Sequence, residues 1–382
     1  MNNEEINLIK NIHIKKEKLD FRNSKSTVLE TVMWFLPNFN NVLQGGVRTI
    51  FSTAEYCTIN SNTFNIFVIY NINQSKINID QINIDLLKNF PSLSFSIVVK
   101  DRIITDDLPY SNVAICTLWT TAYMLVDYSK CDRKYYFVQD YEPIFYSAGS
   151  IYGLIESTYR FGFECIANTK GVYDKYISYG NKGMYFNPSI DKEVFFNKER
   201  IIQNDEPIRI VIYGRPNNSR NGFLIVAEIV KQLKNMLNEK IKIISVGAEW
   251  NEKKYNLNGV VENLGILKSM EDVAELYRNS DFGICFMYTP HPSYQPFEYM
   301  ASGCIPIVNN NKSNEWLLKD LQNCITVEPI PSLAVHKIMT IITNKKKVAE
   351  IKNNLSTTIK QYFDWDRTLS QIHKYLKGEN VV

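Results

Sequence analysis

Histidine is scarce in this chain: four in 382 residues, at His13, His291, His336 and His373. They are too scattered for a His-based metal site. No Cys-x-x-Cys occurs, and the seven cysteines (Cys57, Cys116, Cys131, Cys165, Cys285, Cys304 and Cys324) are odd in number and mostly sit in apolar runs. That reads as buried free thiols in a reducing compartment. No uninterrupted apolar run approaches the roughly 18 residues of a spanning helix. No basic, apolar and cleavage-site pattern opens the chain, so no signal peptide is expected and the protein reads as cytoplasmic. Charge of one sign is missing too: 43 Lys and Arg against 40 Asp and Glu leave a net +3, which gives no case for nucleic acid. One basic run, Lys15, Lys16, Lys18, Arg22 and Lys25, is interrupted by Glu17 and Asp20. A solvated face is its first reading and peripheral contact with the inner, anionic membrane surface its second.

What is present is ordinary soluble composition, 45% hydrophobic and 22% charged, in a length that suits two to three domains. Residues 1–27 are polar and read as a frayed helix. Apolar strand patterns then fall at Thr31–Leu36, Phe64–Tyr70, Phe95–Val99, Val113–Leu118, Tyr135–Val138 and Cys165–Ala167. Helical patterns fall at Val47–Ile59, Ser150–Phe161 and Gly171–Tyr179, while Asn71–Asp85 reads as composition bias. Charges gather and periodicity fades over Asn187–Pro207, which marks a linker. The alternation then restarts with Ile208–Tyr213, Gly222–Leu237, Ile241–Val246 and Met270–Asn279, and further elements follow at Glu315–Leu318 and Cys324–Val327 before two or three terminal helices. Alternating β and α predicts parallel sheets covered on both faces. Two such halves predict two Rossmann-like domains facing across a cleft, of 1–190 and 207–362.

The most informative stretch is Asp281–Asn310, DFGICFMYTPHPSYQPFEYMASGCIPIVNN. Phe282–Met287 is a buried-strand pattern, Tyr288–Ser293 a loop, Tyr294–Ser302 a short helix ended by Gly303, and Cys304–Val308 a second strand. In a βαβ unit the loop at the strand's carboxyl end is where a ligand sits, and the helix start suits a phosphate. Ser293 is placed to cap that helix. Glu298, polar among Phe297, Tyr299 and Met300, can accept a hydrogen bond from a sugar hydroxyl. An ordinary βαβ unit without a ligand remains the bland alternative. After the first strand of the second half, Tyr213-Gly214-Arg215-Pro216 and Arg220-Asn221-Gly222 offer two guanidinium groups; a pair of surface arginines on a turn is the alternative. Asp364-x-Asp366 has the spacing of a metal-binding pair but stands just before a helix, where carboxylates serve as cap and first-turn charges.

These segments resemble the retaining GT-B glycosyltransferases of family 4. Their pattern of Glu, seven residues, Glu, then Gly-x-Pro is matched in its second half by Glu298 and Gly303-Cys304-Ile305-Pro306; the first Glu falls at Pro290, a departure. HPSYQPFEYMASG is similar to the HPSYPPLEMAA variant of rhamnan-type rhamnosyltransferases, and Gln139–Arg160, with QDYEP and Thr158-Tyr159-Arg160, resembles the same group. The family's Gly-Arg, four residues, Lys-Gly element is matched by Arg215, with Arg220 at the lysine and Asn221 inserted before Gly222. The lysine expected directly after Gly265 is replaced by Ile266; Lys268 is the nearby cation, open to the alternative of a solvated lysine. Gly45-Gly46 resembles the family's Gly-Gly loop.

The resemblance implies a GT-B fold whose C-terminal helix, 363–382, returns to the first domain. It implies donor binding by Gly45, Gly46, Arg215, Arg220, Lys268, His291, Ser293, Tyr294 and Glu298, with Asp140, Arg215 and Arg220 carrying the chemistry. A leaving diphosphate gains negative charge in the transition state, which preset cations stabilise. No metal and no cofactor are expected. The implied donor is dTDP-L-rhamnose and the acceptor a growing glycan or lipid-linked glycan. A UDP- or GDP-sugar on the same fold, and a non-catalytic two-lobed glycan-binding protein, stand as the rivals.

Overall fold

A computed structural model describes residues 9–43, 45–198 and 206–379 of the chain. Two compact units emerge, Met1–Asn187 with Asp366–Val382, and Pro188–Trp365. The first holds a seven-stranded parallel sheet of β1 Thr31–Pro37, β2 Phe64–Tyr70, β3 Phe95–Lys100, β4 Ser111–Cys116, β5 Cys131–Val138, β6 Glu164–Asn168 and β7 Gly183–Phe186. Its order is β3-β2-β1-β4-β5-β6-β7. The connections include α1 Gly45–Ser61, α2 Ile79–Asn89, α3 Trp119–Asp127, α4 Ser150–Thr158 and α5 Lys170–Ile177. Strand β1 shows why the strands read as near-continuous apolar runs. Met33 and Phe35 enter one core with α3, α4 and α5 residues, while Val32, Trp34 and Leu36 enter the other with α1 and α2 residues. Alternate side chains point to opposite faces, so a strand covered on both faces must be apolar throughout.

The helix Trp365–Leu376 contributes Ile372 and Leu376 to that second core. Its tether is polar as well. The Arg133 guanidinium, almost fully buried, donates to the carbonyls of Val28 and Leu376. A cation at a helix carboxyl end also meets the negative pole of its dipole. Tyr375 donates to Glu164 (2.7 Å) and His373 meets Ser61 (2.7 Å). Asp364 directly precedes this helix and lies 3.3 Å from Lys192; Asp366 is in its first turn.

The second unit holds a six-stranded parallel sheet of β8 Ile208–Tyr213, β9 Ile241–Val246, β10 Glu262–Asn263, β11 Phe282–Ile284, β12 Ile305–Asn309 and β13 Ile325–Val327, in the order β10-β9-β8-β11-β12-β13. Its helices include α6 Phe223–Leu237, α7 Met270–Arg278, α8 Gln295–Ala301, α9 Pro331–Ile342 and α10 Lys345–Tyr362. In each sheet the chain moves outward through three strands and then returns to the far side of the first. The reversal falls between β1 and β4 in one unit and between β8 and β11 in the other. Loops leaving the carboxyl ends of strands at such a reversal diverge and leave a crevice for a ligand.

Several expectations need correction. Helix α2 occupies the stretch read as composition bias; Asn78 caps it by accepting from Gln81 N–H (3.1 Å). Helix α3 carries no amphipathic signal because Trp119–Val126 is buried all round. Ahead of β1 the described residues are helical at 9–11 and form a short 3-10 helix at Lys16–Asp20; residues 1–8 of the stretch read as a frayed helix lie outside the described residues. Lys15, Lys16, Arg22 and Lys25 are exposed, whereas Lys18 reaches Asp127 and Lys134 lies 4.4 Å from the Phe21 ring centroid. Pro188–Lys198 is packed rather than a loose linker. Ile190 and Phe195 join the second unit's core, and Arg278 donates to the Val194 carbonyl (3.0 Å); 199–205 lie outside the described residues. Glu315–Leu318 is a turn. All seven cysteines are free, six of them buried and Cys131 half-buried. Among the described residues no helix is long and apolar enough to cross a membrane.

Arg133→Met keeps the apolar bulk of the side chain and removes both charge-assisted bonds. Urea unfolding is expected to show a loss of about 2–4 kcal/mol, with amide exchange accelerated first in Trp365–Leu376. Unchanged stability and unchanged exchange there would show that apolar packing alone holds the helix.

Candidate functional site

The second unit's crevice is built from the loops after β8 and β11. Strand β8 ends at Tyr213 and the chain turns through Gly214 to Gly222. A Cβ at Gly214 would lie 2.0 Å from Ser245 Oγ and 2.9 Å from Trp250 Nε1, so the close approach of β9 demands glycine. Arg215 then lies along its own strand end: Nη1 donates to the Tyr213 hydroxyl (2.7 Å), with the guanidinium 5.5 Å from the ring centroid. Arg220 sits in a 3-10 turn, Ser219–Asn221, and its carbonyl accepts from Tyr288 N–H (3.0 Å). That bond joins the β8 loop to the β11 loop.

Strand β11 is shorter than the apolar run predicts, three residues rather than Phe282–Met287. Beyond it, asparagine side chains replace strand pairing. Asn309 exchanges two bonds with Met287, accepting from its N–H (2.7 Å) and donating to its carbonyl (3.1 Å). Asn311 donates to the carbonyls of Met287 (3.0 Å) and Thr289 (2.7 Å), and Asn221 donates to that of Phe286 (3.2 Å). Buried backbone groups are thus satisfied without a regular ladder, and the loop is fixed in place.

That loop presents His291. The imidazole is buried, its Nδ1 accepts from Ser293 N–H (2.9 Å), and the Tyr294 ring centroid lies 5.7 Å away. Burial lowers its pKa to about 3, and the positive charge of Arg220 adds to the effect, so the ring is neutral. Ser293 does not cap the following helix. Helix α8 starts at Gln295 after Tyr294 with no side-chain cap, and the Ser293 hydroxyl contacts Gln295 instead. Ser293 holds φ of 70°, in the left-handed region. Glu298 is half-buried in the first turn of α8. The structure brings Arg220, His291, Ser293 and Tyr294 to one loop junction and sets Arg215 on the β8 and β9 side of the same turn. Lys268 is exposed between β10 and α7. Strand β10 is two places from β8 in the sheet, roughly 10 Å. Ile266, in the lysine's place, is 73% exposed.

In the first unit, Gly45 and Gly46 form the first turn of α1 rather than a loop ahead of it. A Cβ on Gly46 would press 2.9 Å from Gln139, whose amide donates to the Gly46 carbonyl (2.6 Å); around Gly45 there is open space. Asp140 follows Gln139 at the end of β5, half-exposed, and its Oδ1 accepts from Tyr141 N–H (2.8 Å). Beneath it lies a carboxyl that sequence reasoning missed. Glu142 is buried and accepts from Trp119 N–H (2.7 Å) and the Tyr136 hydroxyl (3.1 Å). Burial raises its pKa to about 8, and the charge on Asp140 adds to that. The Tyr159 hydroxyl bridges the pair, donating to the Asp140 carbonyl (3.1 Å) and accepting from Glu142 N–H (3.3 Å). QDYEP and Thr158-Tyr159-Arg160 are therefore two parts of one support for Asp140.

Two parallel-sheet, Rossmann-like α/β domains of this kind define the GT-B fold of glycosyltransferases, and solved GT-B structures superpose on the chain. Residues 208–339 match the family model described as WsaF, C-terminal domain. The O-antigen biosynthesis protein RfbC of Myxococcus xanthus is 35% identical over 352 residues, 91% of this chain and 27% of that protein. The chain thus spans about a quarter of the length of that curated relative. Anabaena HepE in complex with UDP-glucose shares the fold at 14% identity, with a TM-score of 0.68 over 91% of this chain and 99% of that one. WaaG, a glycosyltransferase involved in lipopolysaccharide biosynthesis, does so at 11% identity and 0.63, over 91% and 100%.

The buried Glu142 carboxyl makes stability depend on pH. Its folded pKa is raised from 4.5 to about 8, so the folded state holds the proton more tightly. The stabilisation is fully present below the unfolded value near 4.5 and is lost as pH rises through about 8, at no more than about 1.4 kcal/mol per pH unit. Glu142→Gln, neutral at every pH, is expected to flatten thermal unfolding between pH 5 and 8 and to gain on the wild type as pH rises. Parallel curves for the two proteins would place the proton elsewhere.

Proposed function

We propose that this chain is a retaining GT-B glycosyltransferase of family 4 that transfers a sugar from a nucleoside diphosphate to a growing surface polysaccharide. The observation that carries the proposal is the placing of Arg215 and Arg220 on one turn after β8, with the Arg220 end joined to the buried β11 loop, at the carboxyl-end reversal of the second sheet. An open α/β sheet binds its ligand at that place, and two guanidinium groups with preset N–H donors suit a leaving diphosphate. The match of residues 208–339 to the WsaF family model falls on the same segment, and the name of the RfbC relative supports a polysaccharide acceptor. Arg215 and Arg220 neutralise the diphosphate, with Lys268 as a third cation. Glu298 takes the ribose 3′-hydroxyl, and His291, Ser293 and Tyr294 line the phosphate and sugar. In the first unit Gly45 and Gly46 approach the donor sugar, and Asp140 binds or deprotonates the acceptor hydroxyl. dTDP-L-rhamnose is the donor, on the strength of HPSYQPFEY and QDYEP. No metal takes part, and the enzyme works in the cytoplasm or at the cytoplasmic membrane face.

A thermal-shift panel of dTDP, UDP and GDP at equal concentration tests the donor, because a ligand of the folded state alone raises its melting temperature. dTDP is expected to give the largest shift. A larger shift with UDP or GDP would remove rhamnose and keep the class; no shift with any nucleotide or nucleotide sugar, together with binding of free glycan, would favour a non-catalytic glycan-binding protein.

A further inference from the structure

Four strands end the two sheets, and three of them are short: β7 has four residues, β13 three and β10 two. Shortness is one of the ways a sheet edge is kept from pairing with another chain. β3 is the exception, six residues, FSIVVK, without proline. Its one charge, Lys100, stands at its end and is held by Asp107 (2.6 Å). Every residue of β3 is half-buried, whereas its neighbour β2 is buried from Asn65 to Tyr70. The inner side of β3 is taken by β2: the carbonyls of Ser94 and Lys100 accept from the N–H groups of Asn65 (2.9 Å) and Asn71 (2.8 Å). Backbone groups alternate sides along a strand, so even positions turn inward and Phe95, Ile97 and Val99 turn their N–H and C=O outward. Among the described residues none bonds to these outward groups. Helix α2 packs on one face of the same edge, where its Ile82 and Leu86 share a core with Phe95 and Ile97. The outer stripe of α2, at four-residue spacing, is Asp80, Ile84 and Lys88, with Leu87 beside it. All four are exposed, Ile84 and Leu87 at 57% each. Exposed apolar side chains grouped beside an open strand edge mark an interaction surface.

We propose that this edge pairs with the same edge of a second copy of the chain. The two β3 strands run antiparallel about a twofold axis at Ile97 and join the two first-unit sheets into one. The pattern is complementary to itself. Turned end for end about Ile84, Asp80 meets the partner's Lys88 and Lys88 meets the partner's Asp80. Turned about Ile97, the outward groups of Phe95 meet those of the partner's Val99, and residues of one face stay on that face. Ile84 is five residues from the end of α2 and Ile97 two from the start of β3. Both distances are about 7 Å, and the short link 90–94 joins those two ends, so one axis serves helix and strand. The paired α2 helices are then antiparallel, with Ile84 and Leu87 between them. A twofold contact of this kind closes on itself and leaves no edge for a third chain. A strand from a different protein could use the open backbone groups but has no reason to match the Asp80 and Lys88 symmetry.

Sedimentation equilibrium of this chain over a range of concentrations, with amide exchange at the two extremes, tests the proposal. A dimer is expected, with the amides of Phe95, Ile97 and Val99 protected in it and exchanging faster on dilution. Asp80→Lys and Lys88→Asp should each weaken the dimer about tenfold, because two opposed pairs become like-charged. The double exchange, Asp80→Lys with Lys88→Asp, should restore it. Ile84→Lys should leave a monomer. All three side chains are exposed in the single chain, and circular dichroism confirms that each variant is folded. A wild type that stays monomeric throughout overturns the proposal: rapid exchange at Phe95, Ile97 and Val99 would show an edge that meets only water, and protection there an edge covered by another segment of the chain. A dimer that Ile84→Lys leaves intact would lie on another surface and also overturns it, as does a double exchange that recovers nothing of what each single change loses.

Discussion

The exchange of two hydrogen bonds between the Asn309 side chain and the Met287 backbone is the constraint on which the candidate site depends. A parallel strand that simply continued past Ile284 would carry its side chains to the two covered faces of the sheet, where they could only pack. By ending the strand and letting an amide side chain satisfy the backbone, the fold lets the chain turn inside a buried environment. The loop can then hold His291 beneath the surface and still meet the β8 turn, where Tyr288 N–H reaches the Arg220 carbonyl. A loop fixed in this way has little to reorganise when charge develops on a ligand, and that is the condition under which hydrogen-bond donors act most strongly.

The first unit uses the same device with different residues. Gln139, fixed to the Gly46 carbonyl, joins the start of α1 to the end of β5. Glu142 and Tyr159 form a buried floor under Asp140. A neutral, protonated Glu142 places no second negative charge beside Asp140.

Much of this was legible in the sequence. Long apolar runs gave the strands, and their alternation with helical periods gave two parallel sheets. Glu298 stood out as a charge among apolar neighbours, and Arg215 and Arg220 as two cations in the turn after the first strand of the second half. What escaped was of two kinds. Helix α3 is buried on all sides and so has no periodicity to read, and α2 is written largely in Asn, Ile and Asp. The supporting residues escaped because their roles depend on distant partners. Asn221, Asn309 and Asn311 look like ordinary loop asparagines, and Glu142 like a surface charge, until Met287, Phe286, Trp119 and Tyr136 are brought to them. The cap assigned to Ser293 failed for a local reason: its hydroxyl contacts Gln295 and its backbone sits in the left-handed region.

The central proposal is an anion site made of protein groups alone at the β8 and β11 reversal, with Arg220 as its main charge. Calorimetric titration of dTDP in excess EDTA tests it most directly. The account predicts one site per chain in the wild type and affinity lowered about 10- to 100-fold in Arg220→Ala, the cost of one charge-assisted hydrogen bond. Binding that appears only with a divalent ion, or equal affinity in Arg220→Ala, would contradict it.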